Sequence, residues 1–304
     1  MFLEQGIKVE NNFGKYIIGS LLIIAISFIG QLPLLVGVFY EIFINGRKYP
    51  SDNYELMHFF EPNLTLFLIL IPSLFTLVGI YFIVKFVHRQ SLLSVTTARK
   101  SIDWKRVVFS FVIWSLFTIG ITLLTYFLNP ENYEINFNLV PFLVLVFIGS
   151  ILIPIQTTVE EYVFRGYLMQ GFANLARNKW FPLLMTSIIF GGMHLANPEV
   201  SKMGNIIFVY YIGTGLFLGI ITLMDEGMEL ALGFHAANNL VSALLVTSDW
   251  SAFQTHSILK DVSEPIVGFD IIIPVFIIYP LLLLVFSIKY KWNNWTEKLT
   301  GTIK

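Results

Sequence analysis

The sequence contains no cysteine. That excludes disulfides, thiol nucleophiles and thiolate-bound metal, and it leaves the compartment open. Charge is scarce as well, with Asp, Glu, Lys and Arg making up 13% of the 304 residues. The 19 basic and 20 acidic residues leave no positive excess, so no nucleic acid is expected as a partner. The N-terminus lacks a compact basic region, a short apolar core and a small-residue cleavage site, so no cleaved signal peptide is expected. Repeats, low-complexity tracts and a soluble domain are missing too.

Apolar residues fill the chain instead, at 56%. A hydrocarbon core of about 30 Å takes about 20 apolar residues as helix. Eight runs qualify as candidates: residues 15–44, 64–87, 107–128, 139–176, a run from 181, then 206–224, 228–246 and 269–288. The expected fold class is all-α: a polytopic membrane bundle of about eight transmembrane helices, one integral domain over residues 1–304 with the lipid bilayer as its solvent. Gly30, Gln31 and Pro33 mark a soft point in the first run. The fourth is too long for one straight helix, and Pro154 is the expected break or kink.

Lys and Arg in short loops set orientation. Arg89, Arg99, Lys100, Lys105 and Arg106 follow the second run, Arg177 and Lys179 follow the fourth, and Lys289, Lys291, Lys298 and Lys304 lie in the tail. With eight crossings these fall on one side, which puts both termini in the cytoplasm. Arg47 and Lys48 break the pattern. Residues 92–106 read as a positive-inside loop whose basic groups could also meet anionic head groups. Gly213, Gly215 and Gly219 permit close helix packing, within the bundle or at a dimer contact.

Three places in the later runs carry polar groups. An ionisable residue at membrane depth costs several kcal/mol, about 2.5 or more, and marks a functional site by default. The first place is Glu160-Glu161-x-x-x-Arg165. Glu161 and Arg165 are four apart and share a helix face, so Arg165 can hold Glu161 ionised. Glu160 points elsewhere and is free to act on water. A salt-bridged helix end would explain Glu161 with Arg165, but not the second carboxylate. The second place is Phe190-Gly191-Gly192-Met193-His194, where the glycine pair admits a close backbone. A core histidine satisfied by hydrogen bonds is the plainer reading of His194 alone. The third is His235 and Asn239, four apart on one face. They could donate to an oxyanion or serve as interhelical hydrogen-bond glue. Asn238 is off that face and reads as structural.

Together, E-E-x-x-x-R, F-x-x-x-H and H-x-x-x-N resemble the intramembrane endopeptidases called the CPBP or Abi family, related to CAAX-prenyl proteases and to bacteriocin-processing or immunity proteins. The resemblance covers about residues 139–246, the motif core; the flanking runs match only as generic membrane helices. It implies an eight-helix bundle with an intramembrane polar cavity. It implies that Glu160 and His194 activate water and that His235 and Asn239 bind the oxyanion, with Glu161, Arg165 and Phe190 supporting. The substrate implied is a membrane-associated peptide or protein. Two histidines and a glutamate could hold Zn²⁺ with an open position. Glu161, however, is committed to Arg165, so the metal-free reading is favoured and no cofactor is expected. The alternatives are a non-catalytic immunity or regulatory scaffold and a proton-coupled transporter. No inverted repeat supports the transporter. Small size, absent cysteine and compact loops favour a bacterial plasma membrane. Oligomeric state is not legible.

Overall fold

The computed structural model describes residues 1–7, 11–264 and 268–303. Lys304, counted above with the basic tail, lies outside the described residues.

The chain is a helical bundle. Among the described residues, six helical stretches are long and apolar enough to cross a membrane: Phe13–Phe43, Pro62–Val87, Trp104–Leu128, Leu139–Ala176, Pro198–Asp225 and Ile271–Tyr290. The expected fifth and seventh spans are shorter helices, Trp180–Met193 of 14 residues and Glu229–Leu245 of 17. At 1.5 Å per residue, 14 residues reach about 21 Å, short of the hydrocarbon thickness.

Side-chain caps start several of these helices. Asn12 accepts from Lys15 N, Glu61 from Leu64 N, and Asp103 from Lys105 N. The soft point in the first run is a break: helix Phe13–Gly30 gives way at Gln31 to helix Leu32–Phe43. It seats on the matching break before Pro72, where a Cβ on Gly30 would stand 2.7 Å from Pro72 Cα. Of the break or kink expected at Pro154, the break does not occur. Helix Leu139–Glu161 runs through Pro154, and the irregular turn comes later, as a π-helix over Tyr162–Leu168. A prolyl ring costs one backbone hydrogen bond, which this helix absorbs. The wider π turn re-aims every side chain that follows Glu161, and such turns are frequent at functional sites.

The two ends of the bundle differ. At one end the termini meet the basic loops. Phe2 N donates to Glu226 Oε2 at 2.7 Å, Ile303 N to Arg177 O at 2.8 Å, and Lys298 Nζ to Met224 O at 2.8 Å. Arg99 and Arg106 of the loop after the second span hold buried Asp225. Arg99 Nη2 lies 2.9 Å from Asp225 Oδ2 and its Nη1 3.0 Å from Glu229 Oε2; Arg106 Nη1 contacts Asp225 Oδ1. At the other end a small sheet closes the bundle. Leu259–Asp261 pairs antiparallel with Tyr133–Ile135 and parallel with Val246–Ser248.

Helices Trp104–Leu128 and Glu229–Leu245 run together at close range. Ser110 Oγ donates to Leu230 O at 2.7 Å, and a Cβ on Gly233 would stand 2.1 Å from Val107 O. The glycines of helix Ile207–Asp225 face the chain's own helices. Added Cβ atoms would meet Val275 at Gly213, Ser187 at Gly215 and Leu183 at Gly219. These contacts pack helix Ile207–Asp225 against helix Trp180–Met193 and against the last span.

Candidate active site

Glu161 and Arg165 are both fully buried, and Arg165 Nη1 donates to Glu161 Oε1 at 3.0 Å. Arg165 Nη2 donates to Gly215 O at 3.3 Å, and its guanidinium carbon lies 4.4 Å over the Phe190 ring. Phe190 thereby gives the cation an aromatic face where no water is at hand. The pair is not fully satisfied. Among the described residues, Glu161 Oε2 and Arg165 Nε have no hydrogen-bond partner. A buried ion pair with orphaned atoms is a poor stabilising device, since desolvation costs several kcal/mol (about 3–5 when one partner is lost). Its value lies in what it holds in place.

What it holds is His235. The ring nitrogen Nδ1 lies 2.7 Å from Glu161 Oε1. A carboxylate engaged by arginine is an acceptor, so Nδ1 carries a proton and donates. The other nitrogen, Nε2, stands 3.5 Å from Glu160 Oε2. Two lone pairs facing each other repel, so attraction there requires a proton on Nε2 or on Glu160. Glu160, His235, Glu161 and Arg165 thus form one connected row of polar side chains. Glu160 is its open end: its side chain is 26% exposed, whereas that of Glu161 is fully buried.

Asn239 reaches the same cluster through a residue the sequence reading passed over. Asn239 Nδ2 donates to Gln156 Oε1 at 3.4 Å, and Gln156 Nε2 donates to Glu160 Oε1. Gln156 sits four residues before Glu160 on one helix face, a spacing that could have flagged it. Asn238, read as structural, accepts from Trp114 Nε1 at 3.1 Å and donates to Asn239 Oδ1 at 3.0 Å.

His194 is not brought against Glu160 by any described contact. It ends helix Trp180–Met193 as its C-cap. The ring folds back so that Nδ1 lies 2.8 Å from Phe190 O, and it stacks on Tyr211 with centroids 4.4 Å apart. A backbone carbonyl only accepts, so Nδ1 carries a proton, and in the neutral ring Nε2 then presents a lone pair. Phe190 stands between the two histidines, with ring centroids 4.8 Å from His194 and 6.0 Å from His235. Helix Trp180–Met193 stops just past Gly191 and Gly192, which places His194 at its end.

The described residues contain no group of three or more His, Cys, Asp or Glu side chains arranged to hold a metal ion. His235 Nδ1 is engaged by Glu161, and no step is routed through a metal.

Residues 136–241 match the family model described as type II CAAX prenyl endopeptidase, Rce1-like. The chain carries an Rce1-like segment. It spans all three motifs, from Glu160 to Asn239. Over 250 residues the chain is 28% identical to the Bacillus subtilis (strain 168) protein YyaK, described as uncharacterized, covering 81% of this chain and 82% of that one. No solved structure matches the chain. The long apolar helices and the Rce1-like segment make this an integral membrane protein.

Proposed function

We propose that the protein is an intramembrane endopeptidase that cleaves a membrane-associated peptide or protein, with Glu160 as the base. One observation carries the reading. Of two adjacent carboxylates, Glu161 is buried and committed to Arg165 and His235, while Glu160 stays partly open beside them. A stability device would not need the second.

Glu160 holds a water that His194 Nε2 shares once substrate binding brings together these two side chains, which no described contact joins in the free protein. The water oxygen attacks the scissile carbonyl carbon as its proton passes to Glu160. The carbonyl oxygen becomes an oxyanion that accepts from Asn239 Nδ2 and from His235 Nε2 when that nitrogen carries a proton. With Nδ1 already donating to Glu161, His235 can then donate at both nitrogens. Collapse of the intermediate breaks the C–N bond, and Glu160 returns the proton to the leaving amine. Both termini and the basic loops lie on the cytoplasmic side in this reading, in a bacterial plasma membrane.

The test is comparative peptidomics of membranes and medium from cells lacking the protein, with wild type or Glu160→Gln added back at matched expression. Peptides released by wild type and not by the variant support proteolysis and name the substrate. Restoration of the same phenotype and the same peptide profile by both would replace the protease reading with that of a non-catalytic scaffold.

A further inference from the structure

We infer that Trp114, Asn238 and Gln156 are positioning residues that form, with Asn239, a hydrogen-bond chain of fixed direction ending on Glu160. The inference rests on the reading of Glu160 as the base. The chain has four links. Trp114 Nε1 donates to Asn238 Oδ1 at 3.1 Å, and Asn238 Nδ2 to Asn239 Oδ1 at 3.0 Å. Asn239 Nδ2 donates to Gln156 Oε1 at 3.4 Å, and Gln156 Nε2 to Glu160 Oε1.

The direction follows from the two ends. An indole N–H can only donate, and an ionised carboxylate can only accept. The three amides between them each receive at oxygen and give at nitrogen. Flipping any one would set oxygen against oxygen, or N–H against N–H, at a neighbouring link. Trp114 therefore decides which atom of Gln156 faces the base. With Nε2 facing it, Glu160 Oε1 is stabilised as an acceptor, the form that can take a proton from water. The same direction turns the nitrogen of Asn239, not its oxygen, toward the Gln156 side, where an oxyanion donor is needed.

The anchor is firm. Trp114 is buried, with its ring 4.4 Å from that of Phe234 and 5.0 Å from that of Phe117. Trp114 lies outside residues 136–241, so the family segment alone does not contain the end that sets the direction.

The experiment is Asn238→Asp. The introduced carboxylate still accepts from Trp114 but offers Asn239 an acceptor where it had a donor. Asn239 and Gln156 then turn over, Gln156 presents Oε1, and Glu160 must hold a proton to meet it. Infrared difference spectra of the purified full chain in detergent at neutral pH read this directly. We expect the variant to gain the carbonyl stretch of a protonated carboxyl group, and the gain to vanish in Asn238→Asp/Glu160→Gln. Turnover of the peptide released by wild type should fall about 100-fold, with KM little changed. Trp114→Phe keeps the ring packing and loses the donor; a smaller gain of the same band is expected. A band that survives the Glu160→Gln background belongs to the introduced aspartate and overturns the chain, as does Trp114→Phe matching wild type in both band and turnover. If Glu160→Gln alone leaves turnover intact, the base reading fails, and the infrared result still decides the chain.

Discussion

His235 gives its Nδ1 proton to Glu161 across 2.7 Å, and that contact determines what its other nitrogen can do. The two nitrogens can be probed separately. The amide nitrogen of asparagine stands near the place of Nδ1, and that of glutamine near Nε2. His235→Asn should keep the bond to Glu161 and unfold close to wild type, whereas His235→Gln should be the less stable of the two. His235→Asn loses the donor aimed at the oxyanion and should lose about 10²–10³-fold in turnover, whereas His235→Gln keeps a donor near the place of Nε2 and should lose less. Unfolding midpoints in detergent and turnover of a released peptide check this. His235→Gln as stable as His235→Asn would contradict the assigned ring orientation.

Arg165 compensates the buried charge of Glu161, so Arg165→Met leaves a carboxylate stranded where no water reaches it. Breaking a buried pair from one side costs about 3–5 kcal/mol. Converting both partners, as Glu161→Gln/Arg165→Met, removes the stranded charge and should recover a large part of the loss. Unfolding free energies of the three proteins are the measurement. A double variant no better than Arg165→Met would mean that the pair acts through packing on Phe190 rather than through charge.

The parts of this arrangement that were legible in the sequence are those set by spacing within one helix. Glu161 with Arg165 follows from a separation of four residues, and the soft point at Gly30 and Gln31 follows from backbone chemistry. The direction of His235 toward Glu161 and the distance of His194 from Glu160 depend on how separate helices cross, which spacing does not encode. At Pro154 the helix is unbroken, because proline signals a local cost without saying whether the helix absorbs it. The π turn at Tyr162–Leu168 leaves no residue signature. Gln156 was readable as a neighbour of Glu160 by spacing, but Trp114 becomes meaningful only once helices Trp104–Leu128 and Glu229–Leu245 lie side by side.

Gly191 and Gly192 look equivalent in the sequence and differ in the fold. A Cβ on Gly191 would stand 2.5 Å from Ile212 Cγ1, while one on Gly192 meets nothing within 4 Å. Gly191→Ala should destabilise by about 1–3 kcal/mol through overpacking. Gly192→Ala should be neutral or gain up to about 1 kcal/mol, because alanine is the better helix former. Equal effects at the two positions in an unfolding assay would be evidence against the observed crossing of helices Trp180–Met193 and Ile207–Asp225.

His88 lies just past the second span and ties the first helix to the one that carries Glu160. Its Nε2 is 2.8 Å from the Tyr167 hydroxyl and its Nδ1 3.3 Å from Asn11 Oδ1, with the ring 4.3 Å from that of Tyr16. Burial first, and the positive charge of Lys15 second, push the imidazole down from 6.5 to about 4. The folded protein therefore keeps His88 neutral through a window in which the unfolded chain takes up a proton. Stability from this group is fully present above pH 6.5 and is lost progressively as pH falls toward 4. His88→Gln retains a polar side chain that does not titrate. Its unfolding midpoint should start below wild type at pH 7.5 and converge on it near pH 4.5, once differences common to both are subtracted. Parallel profiles for the two proteins would show that the acid sensitivity of this end of the bundle comes from its carboxylates, and that His88 contributes only its packing.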